Sequence, residues 1–217
     1  MLALSTFDIL GLAAVLATVA AVVALPWPKA YTLALGLLGT YFIQFAGQWW
    51  GGTSSLLPGL VLVPGSVGEA PWTLLTYAFL HANLGHIAGN LFILVTAGPA
   101  LEDSTGPRWF LVIYAAGLVA AGLAGWALAA TTDIVAPQAR IVGASGAIFA
   151  VLTAFAVRHP RDRLPIILFV FVTWFPAMGV LLIYLAFNVA YMLAGPTGIA
   201  WYGHFAGFLA GLSLIHI

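Results

Sequence analysis

Long apolar segments separated by short polar ones run through the chain, and this pattern predicts a bundle of membrane helices. A membrane-spanning helix needs about 20 predominantly apolar residues. Seven segments approach that length, the fifth being short, at about 7–25, 30–47, 83–101, 108–130, 145–158, 177–194 and 201–217. A further apolar segment, Leu164 to Phe175, ends at Pro176, and we expect it to be interfacial or re-entrant rather than a full span.

The loop between the second and third predicted helices, residues 48–80, combines aromatic residues with turn residues. It contains Trp49, Trp50 and Trp72 among several glycines and prolines. Tryptophan prefers the membrane–water interface, so we expect this loop to lie in the outer leaflet. The N-terminus lacks the basic region and the small-residue cleavage pattern of a signal peptide, so the segment 7–25 is interpreted as a retained helix.

Composition supports this interpretation and excludes several classes of protein. Hydrophobic residues make up 63% of the chain and charged residues 6%, whereas soluble domains carry about 25% charged residues. We therefore predict an all-α polytopic membrane protein. A net charge of zero argues against nucleic acid as a partner. The chain has no cysteine, which excludes disulfides, a thiol nucleophile and a thiolate metal site.

The distribution of basic residues predicts the orientation. Under a seven-helix count, five of the six basic residues fall on one side of the membrane, and they are Lys29, Arg108, Arg158, Arg161 and Arg163. Because basic loops stay in the cytoplasm, the N-terminus should lie outside and the C-terminus inside. The helices that start near residues 83, 145 and 201 then begin at the outer face. We expect a multi-pass protein of a prokaryotic plasma membrane.

Two of these helices open on a glycine-flanked polar residue. Ser145 lies between Gly143 and Gly146, and His204 lies between Gly203 and Gly207. A serine nucleophile needs a base within about 2.6–3.2 Å, and glycine lets two membrane helices approach closely. A helix N-terminus also favours a developing negative charge. Two simpler interpretations stay open, in which Ser145 is a helix N-cap and His204 is bonded to a carbonyl.

The third of these helices carries a second group of polar residues, with the spacing H-x4-H-x3-N. His86 and Asn90 lie one turn apart on one helix face, and His81 precedes the helix. Both His86 and Asn90 can donate hydrogen bonds to an oxyanion. A metal site is the competing interpretation, although the H-E-x-x-H motif is absent.

Charged residues near the inner face have a simpler interpretation. Glu102 and Asp103 lie close to Arg108, and we expect a solvated loop with a local ion pair. A functional gate is the alternative. The basic cluster at residues 158–163 is interpreted as a topological anchor.

Together these motifs resemble the rhomboid family of intramembrane serine proteases, over roughly residues 72–211. The resemblance depends on G-x-S-G around Ser145, on H-x4-H-x3-N from His81 to Asn90, and on Gly-His-x-x-Gly at 203–207. It implies a core of six helices within residues 29–217, with 48–80 as a membrane-embedded loop. Residues 1–28 would then hold an extra N-terminal transmembrane helix.

The resemblance also implies an activity. Ser145 and His204 would form a catalytic dyad without a third acid, and His86, Asn90 and the backbone N–H of Ser145 would form the oxyanion hole. The site would cleave single-pass membrane proteins near the outer surface, without metal or cofactor. Residues expected to support it are His81, Gly143, Gly146, Gly203, Gly207 and Phe149, the last because its ring can pack on His204.

Other classes of membrane protein fit less well. A retinal protein needs a lysine within a helix for its Schiff base, and the only lysine, Lys29, lies beside Pro28 in a predicted loop. Transporters keep their polar sites at the midplane, often between inverted repeats, and the sequence shows no repeat. A non-proteolytic relative that binds membrane proteins and a small transporter stay open as alternatives.

Overall fold

The computed structural model describes residues 4–50, 57–168, 171–195 and 198–216, which are mostly helical. The helices are α1 (Thr6–Ala24), α2 (Lys29–Trp50), α3 (Thr73–Thr76), α4 (Leu84–Thr105), α5 (Pro107–Thr131), α6 (Ser145–Arg158), α7 (Ala177–Leu193) and α8 (Trp201–Ser213). Two strands, β1 (Arg163–Leu168) and β2 (Phe171–Pro176), separate α6 from α7. The predicted helical fold is therefore confirmed.

Four described helices, α1, α2, α4 and α5, are long and apolar enough to cross a membrane. The helices α6 and α7 are shorter and also apolar. The chain is thus a multi-pass integral membrane protein, and the count of seven spans stays a prediction.

Local sequence explains where several helices begin. Ser5 caps α1 and forms a reciprocal capping box with Asp8. Asn83 caps α4, its side chain accepting the N–H of His86 at 2.9 Å. Pro107 occupies the first turn of α5, where its missing N–H has no cost. The helix α4 continues through Pro99 to Thr105, about one turn beyond its predicted end.

The described residues of the apolar segment before Pro176 form two strands rather than a helix. Strands β1 and β2 pair antiparallel, with Arg163 opposite Pro176 and Leu168 opposite Phe171. Phe171 and Trp174 are 72% and 56% exposed. A lipid-exposed sheet edge is not tolerated within the hydrocarbon region. The interfacial or re-entrant position of this segment stays a prediction.

The loop before α4 packs against the N-terminal end of α1. The Asp8 carboxylate accepts the N–H of Gly59 at 2.9 Å, and the indole N–H of Trp72 donates to the Gly59 carbonyl at 2.9 Å. Trp49 and Trp50, predicted in this loop, belong instead to the last turn of α2. Residues 51–56 of the predicted loop lie outside the described ranges.

Glu102 has a structural role that corrects the expected ion pair. Its two carboxylate oxygens accept the backbone N–H groups of Lys29 at 2.8 Å and Ala30 at 3.0 Å, and its side chain is 7% exposed. Glu102 therefore caps the N-terminus of α2, where unpaired N–H groups and the helix dipole favour a carboxylate. The prediction of a solvated pair with Arg108 is wrong.

Glycines hold α5, α6 and α8 in backbone contact. A Cβ on Gly207 of α8 would lie 2.8 Å from the carbonyl carbon of Gly146 on α6, and one on Gly211 would lie 2.8 Å from the Cα of Ala150. A Cβ on Gly117 of α5 would lie 2.8 Å from the carbonyl oxygen of Gly146. Small residues permit this close packing in a membrane, where lipid is as apolar as the side chains.

Replacing Gly207 with leucine is expected to reduce activity more than stability. Overpacking of this kind costs about 1–3 kcal/mol, whereas displacing two reacting groups by about 1 Å reduces the rate roughly 10²-fold. The measurement is the turnover and the thermal midpoint of the Gly207→Leu protein.

The matched control is Gly39→Leu on α2, because a Cβ at Gly39 meets nothing within 4 Å. Gly195 is unsuitable as a control because its φ of 83° strains any side chain. Full turnover in the Gly207→Leu protein would show that activity does not require close contact between α6 and α8 at this position.

Candidate active site

Ser145 and His204, which lie 59 residues apart in sequence, meet at the N-terminal ends of α6 and α8. The Ser145 Oγ lies 2.9 Å from the His204 Nε2. Ser145 is the first residue of α6 and Ala144 is the N-cap, without a side-chain capping bond. The interpretation of Ser145 as an N-cap is therefore wrong, because its hydroxyl faces the imidazole.

The second ring nitrogen of His204 also has a side-chain partner. Its Nδ1 lies 2.8 Å from the Oδ1 of Asn188 on α7. The Asn188 amide nitrogen donates to the backbone carbonyl of Trp201 at 3.0 Å, and Asn188 is 1% exposed. The imidazole is thus held between two side chains, rather than only by a carbonyl.

An aromatic ring fixes the plane of the imidazole. Phe149, one turn after Ser145, stacks on His204 with ring centroids 4.7 Å apart and planes at 11°. Tyr184 of α7 meets Phe149 edge to face at 6.0 Å. The phenylalanine therefore makes the ring contact expected from the sequence.

His81, His86 and Asn90 form a second polar group beside this pair. The Asn90 amide nitrogen lies 2.9 Å from the His81 Nε2, and the two histidine rings meet edge to face at 5.0 Å. His81 is fully buried. Burial and then the neighbouring His86 lower the pKa of His81 from 6.5 to about 3, so its ring is neutral at physiological pH.

The backbone of His81 is held by a residue that the sequence did not single out. Gln44, buried on α2, donates its amide N–H to the His81 carbonyl at 2.6 Å and accepts the His81 N–H at 3.1 Å. This pair of hydrogen bonds connects α2 to the segment that carries His81. His81 in turn contacts the Asn90 side chain. Gln44 therefore supports Asn90 indirectly, through His81.

Gly143 brings His86 next to the start of α6. Gly143 has a φ of 113°, and a Cβ there would lie 2.6 Å from the His86 Nε2. Its N–H donates to the Tyr77 carbonyl at 3.0 Å. Glycine is required because both the backbone conformation and the ring of His86 exclude a side chain.

A small, open cleft adjoins the serine, and its lining includes Tyr77, Ile141, Gly143, Ser145, Tyr202 and Gly203. Among the described residues, no three His, Cys, Asp or Glu side chains are grouped so that they could hold a metal ion. The metal interpretation of His81 and His86 thus finds no third ligand in this part of the chain.

Asn188 and Gln44 are the site residues that sequence reasoning missed. Each is an amide side chain within a predicted apolar helix, and polar residues at such positions are costly unless they find a partner. That signal was present in the sequence, but the partners lie on other elements.

The fold and the site define a multi-pass membrane protein with a serine–histidine pair at two helix N-termini. The family model of the Rhomboid domain matches residues 68–217, and the chain belongs to the rhomboid family. The prediction of the family from its motifs is therefore confirmed.

Similar proteins carry the same family name. Rhomboid-related protein 3 of Homo sapiens is 35% identical over 83 residues, which cover 38% of this chain and 19% of that protein. Presenilin-associated rhomboid-like protein, mitochondrial, of Rattus norvegicus is 30% identical over 139 residues, which cover 64% of this chain and 36% of that protein. Rhomboid-related protein 2 of Mus musculus is 26% identical over 158 residues, which cover 67% of this chain and 47% of that protein. The chain spans less than half the length of each of these relatives.

Replacing Gln44 with leucine is expected to destabilise the protein and to lower its turnover. The substitution leaves the buried N–H and carbonyl of His81 unpaired, at a cost of about 1–3 kcal/mol. Gln48→Leu is the matched control, because Gln48 is exposed on the same helix. Thermal midpoints of the two variants check this, and equal midpoints would contradict the proposed support of His81.

Proposed function

We propose that this protein is an intramembrane serine endopeptidase, with Ser145 as the nucleophile and His204 as the general base. The observation that carries the proposal is the 2.9 Å separation of the Ser145 Oγ and the His204 Nε2. This distance is within the range over which a base takes the proton of a nucleophile. The polar pair lies in a protein with four helices able to cross a membrane, and the family is one of membrane serine proteases.

The reaction follows from the two side chains. The Ser145 Oγ attacks the scissile carbonyl carbon while its proton passes to the His204 Nε2. The tetrahedral intermediate collapses, the C–N bond breaks, and the His204 proton goes to the leaving amine. Water then attacks the acyl-enzyme with His204 as base, which releases the acid and regenerates Ser145.

The oxyanion would form at the N-terminus of α6. The first N–H groups of a helix have no intrahelical partner, so the Ser145 N–H is available as a donor. His86, packed over Gly143, and Asn90, held by His81, would supply side-chain donors. The positive end of the α6 helix dipole lies at this N-terminus, and it would add to the stabilisation of the oxyanion.

The substrates we propose are single-pass transmembrane proteins. The site lies where the N-terminal ends of α4, α6 and α8 meet, and positive-inside counting places these ends at the outer face. Cleavage would therefore occur near the outer surface, with the C-terminus of the enzyme in the cytoplasm. Within this arrangement α1 is an extra N-terminal helix, and residues 29–217 form the protease core.

Ser145→Ala is expected to abolish cleavage of a model transmembrane substrate in proteoliposomes, with little change in thermal midpoint. The substitution removes the nucleophile but only one small hydroxyl from the packing. Ser104→Ala on α4 is the control, because the Ser104 hydroxyl bonds only within its own helix, to the Leu101 carbonyl at 3.0 Å. Cleavage by the Ser145→Ala protein at the wild-type rate would overturn the proposed function.

Asn90→Ala and His86→Ala are each expected to lower kcat more than they raise KM. Removing one oxyanion donor typically lowers kcat about 10²–10³-fold, because the contact exists only in the transition state. His159→Ala is the control, since His159 lies beyond the opposite end of α6 and pairs with Asp162. An effect confined to KM would assign His86 and Asn90 to substrate binding instead.

A further inference from the structure

We infer that Asn188 is a positioning residue that fixes the reactive tautomer of His204. The inference rests on the proposed function, because it concerns the base of the same reaction. It adds a third member, a neutral amide, to a pair that the sequence predicts to act alone.

The orientation of the Asn188 amide is determined by a backbone carbonyl. Its two ends face different partners, the Trp201 carbonyl at 3.0 Å and the His204 Nδ1 at 2.8 Å. A carbonyl oxygen can only accept a hydrogen bond, so the NH2 end of the amide must face Trp201. The Oδ1 end must then face the His204 ring.

The orientation of the amide in turn determines where the imidazole carries its proton. The Oδ1 can only accept, so the Nδ1 of His204 must be the N–H donor. A neutral imidazole carries one N–H, which leaves Nε2 as an acceptor. Nε2 is the atom that lies 2.9 Å from the Ser145 Oγ, so the selected tautomer is the one able to take the serine proton.

The same amide holds the ring in position relative to α8. Trp201 is the first residue of α8 and precedes His204 by three residues. Asn188 therefore contacts both the backbone and the imidazole of one helical turn, from a buried position on α7. Phe149 restrains the plane of the ring, and Asn188 restrains its rotation within that plane.

A neutral group suits this buried position better than the acid of a soluble triad. A buried carboxylate carries a large desolvation cost, which rises in a bilayer. An amide avoids that cost, but it can present its donor end and select the wrong tautomer, as replacing the triad Asp with Asn shows. Here the Trp201 carbonyl prevents that reversal.

The test compares three variants in the same membrane mimetic. Asn188→Leu removes the acceptor and should lower kcat about tenfold or more, the size of one net hydrogen bond, with KM unchanged. Asn188→Asp keeps an acceptor facing Nδ1 and should retain more of kcat than Asn188→Leu. Phe187→Leu is the control, since Phe187 is the neighbouring residue on α7 and is 60% exposed.

Histidine-selective 15N NMR reads the tautomer without substrate, with the His204 signals assigned by their loss in His204→Gln. We expect the proton on Nδ1 in the wild type and in Asn188→Asp, and a population with the proton on Nε2 in Asn188→Leu. A wild-type proton on Nε2 would overturn the inference, as would an unchanged tautomer in Asn188→Leu. If Asn188→Leu does not fold, the wild-type and Asn188→Asp spectra decide.

The NMR result also separates this inference from the proposed function. A protease with the proton on Nε2 would overturn the role of Asn188 and leave the nucleophile and base in place. Conversely, an active Ser145→Ala protein with the expected tautomers would overturn the proposed function but leave Asn188 as the group that orients His204.

Discussion

Backbone contact between α6 and α8 is the constraint on which the site depends. Ser145 and His204 each lie on the first turn of a helix, and they can meet only if the two helix axes approach closely. Gly207 against Gly146 makes that approach possible, because a Cβ at Gly207 would lie 3.0 Å from the Gly146 Cα. Lipid provides no hydrophobic drive between helices, so the attraction comes from this close packing. The Ser145 Oγ and the His204 Nε2 are therefore brought together by glycines, which have no reactive side chain.

Around that contact, side chains of α2, α6 and α7 restrain His204 and His81. Phe149 and Asn188 hold the imidazole in plane and orientation, whereas Gln44 holds the backbone of His81 and so supports Asn90. The contacts of His204 with Phe149 and of Gln44 with His81 each join elements distant in sequence. The restraining groups are neutral rings and amides, which avoid the desolvation cost of a charged group in the membrane. Under the proposed function, rigid support of this kind would reduce the reorganisation needed when an oxyanion forms.

Ser145 and His204 could be singled out from the sequence because each lies beside glycine at the start of an apolar segment, and the structure brings the two side chains together. Asn188 and Gln44 were missed because the role of a single amide in an apolar helix depends on its hydrogen-bond partner, and that partner lies on another element. Glu102 was misassigned for a related reason, since its partners are backbone N–H groups of α2, more than 70 residues away in sequence. The paired strands β1 and β2 were missed because a short apolar run does not distinguish strand from helix by its pattern.

Labelling with a fluorophosphonate probe tests the central claim most directly, because it reports the nucleophile and its base in one reaction. We expect the wild-type protein in detergent to be labelled on Ser145, and both Ser145→Ala and His204→Ala to lose the label. Asp162→Asn, at the opposite end of α6, should be labelled like the wild type. Labelling that persists in His204→Ala at the wild-type rate would contradict activation of Ser145 by His204, whatever the distance between the two side chains.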